Sequence, residues 1–273
     1  MTQRDFAGKV VVITGAAGGL GQALARSFAA AGAYIAAFDR DVAGVEAFAG
    51  ELRDDGSQAL GIGCDVTDAV ACERAMASVI ETWGRIDVLI NNAGISHRSA
   101  YMRTDPAVTR SVMEVNFFGS VHCTRAALSA LCKSRGLIIV ISSVAGFAPL
   151  IARTGYSAAK HALHGFFESL RTELVDAGVG VLMVCPSFID TGLDRHALGG
   201  DGRPARHEKQ IVGTRAQPEE IATKILRAAR NGKHLLLPGR MAKFAWWVSR
   251  FAPAYYARSM ARRLRGEMDD EQK

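Results

Sequence analysis

The sequence predicts an α/β fold: a single doubly wound parallel sheet flanked by helices on both faces, followed by a C-terminal amphipathic helical extension. Short β-branched apolar runs alternate with stretches of helical periodicity along most of the 273 residues. A glycine-rich turn, TGAAGGLG (14–21), follows the first of these runs directly. No linker or low-complexity segment interrupts residues 1–238, which therefore read as one domain, with 239–273 as the extension.

KVVVIT (9–14) has the apolar, β-branched character of a strand buried on both faces of a parallel sheet. After the glycine turn, Leu20, Leu24, Phe28 and Ala31 recur at helical spacing up to the stop at Gly32. YIAAFD (34–39) is the second strand, followed by a helix near 42–55, a strand near 59–64, a helix over 68–83 and the strand IDVLIN (86–91). A long helix near 107–133 leads to the strand GLIIVIS (136–142), a helix near 153–177 and the strand VGVLMVC (179–185). A helix opening at PEE (218–220) and the strand HLLLP (234–238) complete the alternation, which implies right-handed βαβ crossovers in one sheet.

Composition excludes several classes. Forty-nine per cent hydrophobic and 22% charged residues are ordinary for a globular chain. The N-terminal stretch lacks an apolar segment with a small-residue cleavage site, so no secretory signal is expected. No apolar run reaches the ~18–20 residues of a membrane-spanning helix. The five cysteines contain no CxxC pair, which argues against a zinc cage or a disulfide framework and for core thiols in a reducing cytoplasm. The net charge of +6 is local: residues 240–265 hold seven Lys/Arg and no acid, leaving 26 basic against 27 acidic residues elsewhere. A near-neutral body with a basic tail is not the footprint of a nucleic-acid-binding domain.

Sheets of this kind bind ligands beyond the carboxyl ends of their strands. Gly15, Gly19 and Gly21 let the backbone turn tightly and approach a pyrophosphate at the N-terminus of the next helix, with Leu20 among them. The spacing is GxxxGxG, and a turn of this kind can exist only to make the turn; between a strand and a helix, nucleotide binding is preferred. Asp39 ends the second strand, where a carboxylate accepts hydrogen bonds from an adenosine ribose and repels a 2′-phosphate. NAD is therefore expected over NADP, with Arg40 as the residue that would favour the phosphate.

TGAAGGLG (14–21), CDVTD (64–68), NNAG (91–94), Asn116, ISSVAG (141–146), YSAAK (156–160) and PSFIDTG (186–192) together closely resemble the short-chain dehydrogenase/reductase family. The match runs in order over about residues 9–192 and, with the PEEIA helix (218–222) and the strand after it, covers roughly 9–238. YSAAKHALHGFFESLRTEL (156–174) is also similar to the hydroxysteroid and retinol dehydrogenase branches. The resemblance implies a Rossmann-like fold and hydride transfer between a nicotinamide and a substrate carbon. Tyr156 would transfer the proton, Ser143 would hydrogen-bond the substrate oxygen, and Asn116 would hold a water in a relay to Lys160. Ser142 competes with Ser143, but the thirteen-residue interval to Tyr156 matches the family at Ser143. Asp65 and Val66 resemble the pair beside the adenine. Asn91, Asn92, Ala93 and Gly94 resemble the residues that hold the sheet and pass close to the cofactor. Thr191 resembles a threonine that bonds the carboxamide, with Ile189 and Pro186 beside it; Ser187 stands where the family often has glycine. No metal is needed.

The residues make chemical sense of this. Tyr156 and Lys160 are i and i+4, on one helix face. A free tyrosine titrates near about 10, and a neighbouring ammonium lowers that toward working pH. Lysine suits the task as a compact charge with spare donors for a ribose. The alternative is a nucleotide-binding regulator or scaffold without turnover, which has no need of Asn116, Ser143, Tyr156 and Lys160 together.

Other residues read more plainly. His97 and Arg98 line the substrate mouth or form an exposed loop pair. His161 and His164 read as helix-surface or packing residues, and Cys185 as a core thiol. Residues 193–215, glycine-rich and polar, read as a mobile loop over the pocket. Val144, Ala145, Phe147, Pro149, Leu150 and Phe188 make the approach apolar, favouring a hydrophobic alcohol or ketone over a sugar. In the tail, Met241, Phe244, Ala245, Val248 and Phe251 fall on one face of a first helix. Tyr256, Met260 and Leu264 face away from Arg258, Arg262 and Arg265 in a second. These faces cap the pocket, form a subunit interface or lie on a membrane surface. The first two are preferred, because the family commonly assembles as homodimers or homotetramers.

Overall fold

The structure is a computed structural model that describes residues 3–192, 196–205 and 215–263. Seven parallel strands form one sheet in the order β3-β2-β1-β4-β5-β6-β7. They are β1 (Val10–Thr14), β2 (Tyr34–Asp39), β3 (Ala59–Gly63), β4 (Val88–Asn91), β5 (Leu137–Ile141), β6 (Gly180–Val184) and β7 (Leu235–Leu236). β1 sits between β2 and β4, with Val11 opposite both Ile35 and Val88. The chain winds outward in both directions from this point, which opens the crevice where such sheets bind ligands.

Alternation along β1 sorts the core into two layers. Val11 and Ile13 face one layer with Leu24 and Phe28 of α1 (Gly19–Ala29), Phe48 of α2 (Val42–Asp54) and Ile225 of α7 (Pro218–Arg230). Val10 and Val12 face the other, with Met76 of α3 (Ala69–Trp83), Leu131 of α5 (Gly119–Ser134) and Phe167 of α6 (Thr154–Glu173). Both faces of β1 and β5 are buried, as their unbroken apolar sequences require. Local chemistry sets the helix ends. Asp68 caps α3 by accepting from the Val70 and Ala71 amides, and Gly84 ends it in the left-handed region.

The predicted helix at 107–133 is interrupted. α4 (Pro106–Met113) passes through a π turn at Glu114–Phe118 before α5 begins. Helical periodicity does not reveal one extra residue in a turn, and such turns recur at functional sites. The last strand is shorter than HLLLP, only Leu235–Leu236.

The 193–215 loop divides. Residues 193–195 and 206–214 lie outside the described residues. The part between them is tied down: Leu198 donates to Ser96 and accepts from Arg98, and Ala205 donates to Ala197. This anchored hairpin differs from the mobile loop expected, because a polar, glycine-rich sequence gives no sign of backbone pairing to 96–98.

The extension forms α8 (Arg240–Phe251) and α9 (Pro253–Arg263), separated at Ala252. Ala245 of α8 and Tyr256 of α9 pack with Ala148 in a small third core that also takes in Val144, Phe147, Val248 and Met260. The tail thus closes on the segment that follows β5. The expected apolar face of α8 splits in two, since Ala245 is buried while Phe251 is 70% exposed. Leu264 and Arg265 lie outside the described residues.

Candidate active site

The turn after β1 opens the site. Gly15 has φ +66, and a Cβ there would stand 2.9 Å from the Ala93 Cα, so only glycine fits between the turn and the strand-end loop opposite. Thr14 braces both sides. Its hydroxyl accepts from the amides of Asn92 and Ala93, each at 3.0 Å, and the Asn92 amide group donates to the carbonyls of Thr14 and Gly15. Asn91, one residue earlier, points away and ties β4 to α5 through Thr124 at 2.9 Å. Of the NNAG stretch, Asn91 therefore holds the sheet while Asn92, Ala93 and Gly94 line the cleft.

Asp39 reaches across from the end of β2. One carboxylate oxygen accepts from the Ala17 amide at 3.0 Å and the other from the Asp41 amide at 3.1 Å. The carboxylate is thereby fixed at the rim of the glycine turn, with Arg40 exposed beside it. Asp65 and Val66 follow β3 on the same wall; Asp65 folds back onto the Thr67 amide and hydroxyl, and the Val66 carbonyl meets His122 at 3.1 Å.

Tyr156 and Lys160 enter from the first turns of α6. This helix is held against the sheet by Leu163 and Phe167, each buried and contributing roughly 1.5–3 kcal/mol. Lys160 is buried, and its ammonium donates to the Ile141 carbonyl at the end of β5, 2.8 Å away. Burial pulls its pKa down to about 8. The ammonium lies 5.5 Å from the centre of the Tyr156 ring. Ser143 follows β5, its hydroxyl accepting from the Ala145 amide at 3.1 Å, and lines the cleft. Ser142 also borders the cleft, but its hydroxyl is engaged by His164 at 3.1 Å and the Lys160 carbonyl at 3.4 Å.

Asn116 sits in the π turn. Its amide donates to the carbonyls of Ile95 and Val112, both at 2.8 Å. Its own buried oxygen has no hydrogen-bond partner among the described residues. A Cβ on Gly94 would lie 2.6 Å from that oxygen and 3.8 Å from the Lys160 ammonium, so both groups crowd the same glycine.

One cavity of about 760 Å³ runs from the glycine turn to the tail helices. Gly15, Gly19, Leu20, Gly21, Asp39, Arg40, Asp65, Val66, Asn92, Ala93, Gly94, Asn116, Ser143, Tyr156, Lys160, Pro186, Ile189 and Thr191 all line it. The glycine-shaped turn, the fixed carboxylate at the β2 end and the unpartnered Asn116 oxygen fit a dinucleotide with a polar reacting end. Beyond Tyr156, the walls are Val144, Ala145, Pro149, Leu150 and Phe188, then Met241, Phe244, Val248, Tyr256 and Met260 from the tail. Among the described residues no cluster of His, Cys, Asp and Glu is placed to hold a metal.

Several sequence expectations need correction. His97 and Arg98 are neither exposed nor at the mouth: both are buried. His97 accepts the Gly155 amide hydrogen through Nε2 at 3.0 Å, fastening the start of α6. Burial, with Arg153 nearby, lowers its pKa to about 4. Phe147 turns from the cleft toward His164, ring centres 6.4 Å apart. His164 is half-buried against Ser142 and 3.5 Å from the Cys185 thiol, whose pKa burial pushes up to about 12. Thr14, Val115, Arg153 and His196 also belong to the site's framework and walls without having been singled out. For Thr14 the available signal was a hydroxyl residue immediately before the glycine turn.

The family model for short chain dehydrogenases matches residues 9–199. Dehydrogenase/reductase SDR family member 7B of Rattus norvegicus is 38% identical over 267 residues, covering 94% of this chain and 82% of the relative. The Drosophila melanogaster dehydrogenase/reductase SDR family protein 7-like is 33% identical, covering 96% of this chain and 82% of the relative. Among solved structures, a Burkholderia phymatum short chain dehydrogenase/reductase in complex with NAD aligns with a TM-score of 0.82 at 25% identity, covering 92% of this chain and 96% of that one. A Thermococcus sibiricus alcohol dehydrogenase complexed with 5-hydroxy-NADP aligns at 0.70 and 28% identity, covering 80% and 89%. With the glycine turn, the tyrosine–lysine helix and these relatives in agreement, the chain belongs to the short-chain dehydrogenase/reductase family.

Proposed function

We propose that the protein is an NAD-dependent oxidoreductase that interconverts a hydrophobic secondary alcohol and its ketone, with a steroid-, retinoid- or long-chain-alcohol-like substrate. The observation that carries this reading is one continuous cavity, in which Tyr156 and Lys160 stand between the glycine turn and a wall of apolar side chains.

Ile189 and Thr191 line the part of the cavity that would hold a nicotinamide, which when bound would supply or accept the hydride. Tyr156 gives or takes the proton at the substrate oxygen. Ser143 donates to that same oxygen, which stabilises the charge developing there. The Lys160 ammonium favours the Tyr156 phenolate through its charge. Its pKa, near about 8, leaves it mostly protonated at neutral pH while poised to exchange protons. Asn116, with its buried acceptor facing Gly94, suits a water between Lys160 and solvent. NAD is favoured over NADP by Asp39, fixed by two amides at the position where a 2′-phosphate would meet its charge.

The test is absorbance at the reduced-nicotinamide band, with NAD and NADP each offered alongside steroids, retinoids, long-chain alcohols and short polar alcohols. Turnover confined to apolar substrates and faster with NAD is expected. No turnover with any of them, despite cofactor binding, would favour a nucleotide-binding regulator instead.

A further inference from the structure

The two tail helices carry a second, solvent-facing surface beside the one that closes the cleft, with Phe244 and Tyr255 at the border between the two. Phe244, Trp247 and Phe251 follow one another at i, i+3 and i+7 on α8, 61%, 57% and 70% exposed. Tyr255, at the start of α9, is 66% exposed. Trp247 stacks on Phe251 with ring centres 5.0 Å apart, and meets Trp246 edge-on at 5.5 Å. Arg250 lies 5.2 Å over the Trp246 ring. Six cations punctuate this pair of helices (Arg240, Lys243, Arg250, Arg258, Arg262 and Arg263), and residues 240–263 contain no acid.

Exposed aromatic rings among six cations with no acid between them suit a partner that is apolar inside and negative at its surface. A second copy of the chain is a poor occupant, because a two-fold interface would bring the same six cations face to face. We propose that the outer face of α8 and α9 docks on anionic lipid bilayers, Trp247 and Phe251 entering the acyl boundary and the arginines lying among the headgroups. The same helices supply the cleft wall through Met241, Val248 and Met260, so docking sets the cleft mouth at the bilayer surface. That last consequence rests on the function proposed above; docking itself is read without turnover, so the two fail separately.

The experiment is flotation of the full chain with phosphatidylcholine vesicles and with vesicles of phosphatidylcholine and phosphatidylglycerol, at low and high salt. W247S/F251S and R250Q/R258Q are compared with wild type, none of these residues lining the cleft. Cofactor fluorescence titration verifies that each variant folds. Wild type floats with the anionic vesicles, less so at high salt. R250Q/R258Q partitions about 10- to 30-fold less, as expected for two cations near an anionic surface. W247S/F251S partitions at least about tenfold less, and its loss persists at high salt. Absence of wild-type flotation overturns the proposal, as does unchanged partitioning in both variants. A self-associating wild type that does not float, and that W247S/F251S renders monomeric, also overturns it and assigns the face to a subunit interface.

Discussion

Lys160 holds its ammonium 5.5 Å from the centre of the Tyr156 ring while donating to the Ile141 carbonyl at 2.8 Å. Helical spacing alone brings the two residues to one face; the hydrogen bond to the end of β5 fixes where on that face the charge sits. Tyr156→Phe removes the transferable proton and leaves the cavity otherwise intact. Its kcat falls by at least about 10²-fold while cofactor binding stays close to wild type. Lys160→Met loses turnover by a similar factor and weakens the cofactor as well. Steady-state kinetics with fluorescence titration of the cofactor check both, and substantial turnover by Tyr156→Phe would sink the assignment of the proton-transfer group.

The burial of Lys160 also has a thermodynamic signature. Its folded pKa is lowered to about 8 from the ordinary 10.5, so between these values the unfolded chain binds more protons than the folded one. Stability contributed at this position therefore rises with pH through that window. The cost of burying the ammonium is fully present below pH 8 and is relieved as pH climbs toward 10.5. Denaturant unfolding of wild type against Lys160→Met across this range shows wild type gaining relative to the variant. A difference that does not change with pH would mean that the ammonium is solvated in the folded chain.

Much of this site is legible in the sequence, and its illegible parts share a cause. Gly15, Asp39, Tyr156 and Lys160 stand at strand ends or at helical spacing, where local pattern determines location. Asn116 is recognisable by type, but the π turn that carries it is invisible to periodicity, because one added residue leaves the apolar pattern on either side intact. His97 read as a mouth or loop residue since the contact to its Nε2 comes from another part of the chain. Its partner is Gly155, fifty-eight positions away. The tail's helices follow from their spacing, whereas which of their two faces turns inward depends on Ala148 and Val144, far away in the chain.

His97 makes that long-range contact testable. Its Nε2 accepts the Gly155 amide hydrogen, one residue before Tyr156, so it acts as a side-chain fastening for the start of α6. His97→Leu leaves that amide without a partner and costs about 1–3 kcal/mol at pH 7. The folded pKa, about 4 against an ordinary 6.5, means the folded chain binds fewer protons than the unfolded one between those values. The histidine's contribution is complete above pH 6.5 and is lost as pH falls toward 4. Unfolding curves should show the gap between wild type and variant closing over that acid range, with kcat of the variant reduced at neutral pH.

Asp39 is the residue to alter for cofactor choice. Asn at this position keeps the size and one acceptor, so the Ala17 contact survives while the charge is removed. Asp39→Asn raises kcat/KM for NADP relative to NAD by at least about tenfold, equivalent to about 1.4 kcal/mol of relieved repulsion. Arg40, exposed next to it, is then available to the phosphate. Initial rates with the two cofactors give the ratio directly, and an unaltered preference would place the discrimination elsewhere in the turn.

The tail's inner face should govern how long a substrate the cleft accepts. Val248 lines the cavity and packs on the small core of Ala148, Ala245 and Tyr256. Val248→Asp places a carboxylate in that wall, which costs any chain lying along it apolar contact worth roughly 1.5–3 kcal/mol. KM for long-chain ketones then rises about tenfold or more. A short ketone that fills only the space around Ser143 and Tyr156 never reaches this wall, so its kcat/KM stays within about threefold of wild type. The chain-length dependence is the discriminating readout, because general unfolding would depress both substrates together while loss of one wall depresses only the longer. Equal loss for short and long ketones would mean that the tail supports the fold without shaping the substrate.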